Sequence, residues 1–174
     1  LWRDVLIMVT AEGQDGGGFW VDAGGWLRGK QVKVDPIPEA YTQPVIHPRN
    51  AILHSNAGPR KTPWTSLWNY IRRLDITGEP HFQVAGVDAT SIGDGLIVQG
   101  MPFTVRADCN AKANSWWRGN KRVGAISFES EDRGSASLPT TPWSAGQVHV
   151  IVGALTALCV VYGVACTNTT RWDD

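Results

Sequence analysis

The chain is poor in the features that would assign it quickly. Three cysteines in 174 residues, Cys109, Cys159 and Cys166, form no CxxC or CxxH spacing, so neither a disulfide framework nor a zinc ribbon is supported. Cys159 and Cys166 lie in an apolar stretch and read as small core residues. Net charge is also missing: 16 basic and 16 acidic residues cancel, which leaves no global field to draw the chain to nucleic acid or an anionic membrane. No GxSxG elbow, no HExxH pair and no internal repeat occur. The first apolar run, Val5 to Val9, is too short for the h-region of a signal peptide. Only Val150 to Cys166 approaches membrane-spanning length; it falls just short and is interrupted by Thr156. With Thr141 as N-cap, Pro142 at N1 and Gly163 as C-cap, a buried helix over about 142–162, packed on a sheet, is expected there instead.

Tryptophan, by contrast, is abundant, with nine residues whose flat apolar faces and N–H donors suit sugars and peptides where they are exposed. Trp116 and Trp117 are interleaved with a local basic run, Lys112, Arg118, Lys121 and Arg122. A solvated loop and an anionic-ligand surface are equally good readings of that run. The length fits one domain with a real core. Residues 1–50, broken by Gly16–Gly18, Gly24–Gly25 and Gly29 and by Pro36, Pro38, Pro44 and Pro48, read as an N-terminal arm of that domain or the tail of a preceding one. The first residue is Leu1 rather than Met and the last are RWDD, so a piece of a longer protein is expected.

From Ala51 the pattern is regular. AILHS (51–55) is a short apolar strand, and TPWTSLWNYIRRL (62–74) a helix with Thr62 capping, Pro63 at N1, and Trp64, Leu67, Trp68 and Ile71 on one face. PHFQVAGV (80–87) and GLIVQ (95–99) are strands joined by a turn at Gly93–Asp94–Gly95, and MPFTVRA (101–107) reads as a continuation of the sheet. VGAISFESED (123–132) is a further buried strand ending in acids. Strands interrupted by helices imply an α/β fold, a mixed central β-sheet covered by helices.

Two residues carry most of the chemistry. His54 ends an apolar strand beside the small residues Ser55, Asn56, Ala57 and Gly58. A histidine so placed is more often packed in the core than bound to metal, yet the small residues leave room beside the ring. Glu129 ends the other buried strand and shares parity with Val123, Ala125 and Ser127; it is either a surface charge or a cleft acid. A catalytic zinc takes about three protein ligands and a water, so His54 needs company. His81 can point into the same cleft or serve packing, His47 reads as a surface residue, and His149 has no partner at i+4.

These segments together resemble the type 2 N-acetylmuramoyl-L-alanine amidases, which share a fold with the peptidoglycan recognition proteins. The likeness runs from about Val45 to the end. AILHSNAG is similar to the family's strand ending in a zinc-binding His, and PHFQV with GDGLIVQ to its "HF…DG.I.Q" hairpin. RADCNAKANS is similar to its Ala-x-His-Ala segment followed by Asn, VGAISFESED to its "IGIE" strand, and TPWSAGQ with VVYGV to its final helix. The ISFE variant looks most like bacteriophage endolysins of actinobacterial hosts. The resemblance implies residues 45–174 as the amidase-like domain, after a segment 1–44. It implies His54 as a Zn2+ ligand, Glu129 as the catalytic carboxylate, and substrate contacts from His81, Asn114, Trp116 and Trp117. The family's other ligands follow the last helix, beyond the end of this sequence. Ser127 stands where some members have a catalytic Glu, Pro80 where others have Tyr, and Cys109 where His is common.

The implied activity is hydrolysis of the amide between N-acetylmuramic acid and L-alanine in peptidoglycan, and so cell wall degradation. A monomer is expected, with no nucleic-acid or membrane partner, made in the host cytoplasm and released to the wall by another factor. A non-catalytic peptidoglycan-binding module of the same fold is the alternative, and a packing domain without ligand a third.

Overall fold

The computed structural model describes residues 18–56, 64–73, 78–85, 95–109, 114–131 and 143–163. A two-stranded ribbon of β1 (Trp20–Val21) and β2 (Leu27–Arg28) comes first. Then follow β3 (Val32–Val34), a 3₁₀ turn at Pro38–Tyr41, β4 (His47–Asn56), α1 (Trp64–Ile71), β5 (Phe82–Val84) and β6 (Ile97–Gln99). The hairpin strands β7 (Trp116–Arg118) and β8 (Lys121–Glu131), and finally α2 (Ala145–Tyr162), complete the order. Six strands form one sheet in the order β3-β6-β5-β8-β4, with β7 pairing onto the start of β8. β4 and β5 flank β8 and both run parallel to it, whereas β5–β6 and β7–β8 are antiparallel. The sheet is therefore mixed, as expected.

Each face of the sheet is covered. Phe82, Val84, Ile97, Ile126 and Phe128 meet α2 through Val150, Ile151, Ala154, Ala157 and Leu158. On the opposite face Trp68 of α1 packs with Ile37, Ala85, Val98, Met101 and Val105. Alternation along β8 makes this division: Ile126 and Phe128 point to one layer, Ser127 and Glu129 to the other. The Trp68 indole N–H donates to Asp35 Oδ2 at 3.0 Å, and Arg72 pairs with Asp35 Oδ1 at 3.1 Å, which ties α1 to the end of β3.

Before residue 45, β3 pairs with β6, and Leu27 and Ile37 are fully buried in the two cores. Several sequence expectations are corrected. Of Met101–Ala107, only Val105 pairs as in a sheet, through a single bridge to Val45. The rest is turn and extended chain fastened by Phe103 N–H to Gly25 O at 2.9 Å and Ile46 N–H to Thr104 O at 2.7 Å. Its buried alternation comes from packing under those loops.

α2 begins three residues later than expected. Ser144, not Thr141, is the N-cap: its side chain accepts from Gln147 N–H at 3.1 Å, and Gln147 Oε1 accepts from Ser144 N–H at 3.0 Å. This reciprocal box satisfies two orphan donors, a cap contribution of about 1 kcal/mol. Thr141 and Pro142 lie outside the described residues, as do Thr62, Pro63 and the Gly93–Asp94 turn. Gly163 closes the helix in the left-handed conformation at φ 62°, as expected of a C-cap glycine. α2 is long and apolar enough to cross a membrane by length and composition, but one face is packed on the sheet. Cys159 is disulfide-bonded rather than a free core thiol, since an odd cysteine count excludes only complete pairing; Cys166 lies outside the described residues.

Candidate active site

Parallel pairing of β4 with β8 puts His54 in direct register with Glu129. Both side chains are half-buried and project from the same face near the carboxyl ends of the two strands. In α/β sheets this end of parallel strands is where ligands are bound. β5 adds Gln83 on the other side of Glu129, again in register, so one row across the sheet reads His54, Glu129, Gln83. The buried strands β5 and β8 fix the row, because slipping either by one residue would turn its apolar set to the other face.

The backbone of His54 is held from the opposite face. The Trp143 indole N–H donates to Ser130 Oγ at 2.8 Å, and Ser130 Oγ donates to the His54 carbonyl at 2.9 Å. The segment before α2 thus anchors the strand that carries the histidine. Burial raises the Glu129 carboxyl above its ordinary range, and the neighbouring His54 opposes that shift. A carboxyl raised in this way holds a proton more readily near neutrality, which suits a group that must take one and give it back.

Cys109 reaches the same place. Burial pushes its thiol up to about 12, a side-chain hydrogen bond with Ser127 works against that, and the Glu129 charge adds to it. The thiol is therefore held protonated at neutral pH. Ser127 is fully buried two residues before Glu129, on the same face.

His81 sits beside the row, just before β5. Its ring is fully buried; Nδ1 accepts from Ser127 N–H at 3.1 Å, and Nε2 lies 2.7 Å from the Val105 carbonyl. A carbonyl can only accept, so Nε2 carries the proton, and both ring nitrogens are used by the fold. In this arrangement the ring pins β5 to β8 beside Glu129, the packing role weighed for it from sequence.

Asn114, Trp116 and Trp117 are displaced from the row altogether. Trp116 pairs with Val123 at the start of β8, six positions from Glu129 or about 20 Å along the strand. Asn114 is buried, with its carbonyl against Gly124 at that same end. Trp117 is 65% exposed, its ring 5.2 Å from the Arg122 guanidinium. The structure brings together His54 and Glu129 of the expected set and separates these three from them. Ser127 and Cys109 were named by sequence only as departures from the family's pattern, and Gln83 was not singled out, although a carboxamide inside an otherwise apolar strand was a signal.

The fit to a metal is partial. A catalytic zinc takes three protein ligands with an open position for water. Among the described residues no three His, Cys, Asp or Glu side chains gather into such a group.

No family model and no curated protein matches the sequence. Solved structures do. The fold is similar to that of PlyL, with a TM-score of 0.52 and 17% identity over 78% of this chain and 75% of that one. The N-acetylmuramyl-L-alanine amidase AmiD from E. coli, in complex with anhydro-N-acetylmuramic acid-L-Ala-D-gamma-Glu-L-Lys, aligns at a TM-score of 0.49 and 21% identity. That alignment takes in 85% of this chain and 54% of AmiD, so the chain spans about half of AmiD's length. The likeness to PlyL shows the fold, a mixed α/β sheet covered by helices.

Proposed function

We propose that this chain is a peptidoglycan hydrolase domain that cleaves the amide between N-acetylmuramic acid and the first L-alanine of the stem peptide. The observation that carries the proposal is the register of His54 with Glu129 at the carboxyl end of β4 and β8, within a fold similar to PlyL. The ordered motifs from AILHSNAG to VVYGV point the same way.

In this reading His54 is one ligand of a zinc ion whose other donors come from outside the described residues. A bound zinc would lower the pKa of its water and polarise a carbonyl. Glu129 is the general base. Its carboxylate takes the proton of the attacking water as the carbonyl carbon gains the oxygen, and delivers that proton to the departing alanine nitrogen as the C–N bond breaks. Burial of the carboxyl suits both halves of that transfer. The Trp143–Ser130–His54 chain keeps the histidine backbone still while this occurs.

The test combines zinc content by elemental analysis with release of stem peptides from bacterial cell walls. A protein that supplies the remaining donors is expected to carry near-stoichiometric zinc that is lost in His54→Ala. Glu129→Gln is expected to keep the metal and lose about 10²–10⁴ in turnover. Wall binding without peptide release would replace the enzyme by a binding module of the same fold. Zinc that survives His54→Ala would remove the ligand assignment.

A further inference from the structure

Gln83 lies at the centre of β5 with its side chain fully buried, and neither its amide nitrogen nor its oxygen has a hydrogen-bond partner among the described residues. Folding a carboxamide into an interior without partners is unfavourable, and a methionine or leucine would fill similar space without that penalty. The other buried glutamines show that this chain does satisfy such groups where they serve the fold. On the adjacent strand Gln99 Oε1 accepts from Leu27 N–H at 2.6 Å, while its Nε2 donates to the carbonyls of Met101 at 2.7 Å and Gly25 at 3.3 Å. Gln147 is used in the α2 capping box. Gln83 is the exception, and its place in the sheet is beside Glu129.

Neighbouring strands are about 4.8 Å apart, so residues in register reach one another by side-chain rotation alone. An amide suits a proton-transferring carboxyl because it has both kinds of atom. Its N–H groups donate to a carboxylate, and its oxygen accepts from a carboxylic acid. Glu129 interacts with the charge of His54 and lies close enough to Cys109 to act on its thiol. Local unsatisfied groups of this kind persist where they are part of a mechanism.

We propose that Gln83 is a positioning residue for Glu129: its carboxamide hydrogen-bonds the Glu129 carboxyl in the loaded site and holds it in the rotamer that faces the scissile amide. This rests on the reading of Glu129 as general base. Gln83 does not itself touch substrate, and its action passes through the carboxyl next to it.

The experiment compares wild type, Gln83→Met, Glu129→Gln and the double variant in the full chain, with cell-wall turnover and thermal unfolding as readouts. Gln83→Met is expected to lower kcat about tenfold with KM changed by less than about twofold. Its Tm is expected to rise, because an unsatisfied buried amide is replaced by an apolar side chain. In the Glu129→Gln background the same substitution is expected to leave the residual rate unchanged, the signature of action through Glu129. A kcat within twofold of wild type would overturn the proposal. So would a fall in rate that tracks a fall in Tm, or one that persists undiminished without the Glu129 carboxylate. Gln83→Leu serves as the second apolar replacement if methionine packs poorly. A wild type without turnover removes the general-base reading and this inference with it, whereas an active wild type that needs Glu129 but not Gln83 removes the inference alone.

Discussion

At the scale of single residues, the site is built from groups whose burial sets their protonation, and His81 shows this most directly. Burial holds its pKa down at about 4, with the Val105 carbonyl opposing that shift. Protonation would also place an N–H against the Ser127 N–H that Nδ1 now receives. The unfolded chain, with an ordinary histidine near 6.5, therefore binds the proton first as pH falls. Stability attributable to His81 is fully present above about 6.5, declines as pH drops toward 4, and is level below that, a total of about 3 kcal/mol. Urea unfolding between pH 7 and 4.5 measures it: wild type is expected to lose about 2–3 kcal/mol more than His81→Gln across that interval. Equal losses would mean that the ring is not held neutral. Because His81 pins β5 to β8 next to Glu129, acid is expected to loosen the row as well as the fold.

At the scale of elements, α2 illustrates what packing adds to propensity. Alanine is normally preferred to glycine inside a helix by about 1 kcal/mol. At Gly153, however, an added Cβ would overlap the Phe19 ring, which itself stands edge-on to His149 with centroids 5.7 Å apart. Gly153→Ala is therefore expected to destabilise by about 1–3 kcal/mol, and a Tm above wild type would show that Phe19 moves freely. The same element marks what sequence could convey. The centre of α2 and its Gly163 cap were legible from apolar content and a glycine at the right place. The start was not, because Thr141, Pro142 and Ser144 all offer helix-entry chemistry, and only the reciprocal bond to Gln147 selects among them. β8 was legible for the same reason as the helix core, since a long buried run declares itself, whereas only the apolar 51–55 part of β4 was read as a strand. β3 was hidden because three residues, one of them Lys33, carry too little periodicity, and its strand status comes from pairing with β6.

At the scale of the whole molecule, the parallel strands give the sheet two unlike ends. His54 and Glu129 were legible one at a time, as polar residues closing apolar strands, but their juxtaposition depends on a register that sequence does not display. The tryptophan and basic cluster was legible as a cluster, but its distance from Glu129 was not, because the turn at Gly119–Asn120 folds it back on the start of β8. Trp117, Arg118 and Lys121 are exposed there, with Arg122 stacked on Trp117, so their surroundings are solvent and one another. An exposed cation–π pair contributes only about 0.5–1 kcal/mol, and its removal leaves the fold intact. Separation of about 20 Å along β8 also exceeds the screening length of about 8 Å at physiological salt, so its charges act only weakly on the Glu129 row. The Trp117→Ala, Arg122→Ala double variant is accordingly expected to hydrolyse a soluble muramoyl-peptide within about twofold of the wild-type rate. A loss of tenfold or more on that small substrate would show that the two ends of the sheet work as one site, and would return the hairpin to the substrate-contact role its composition suggested.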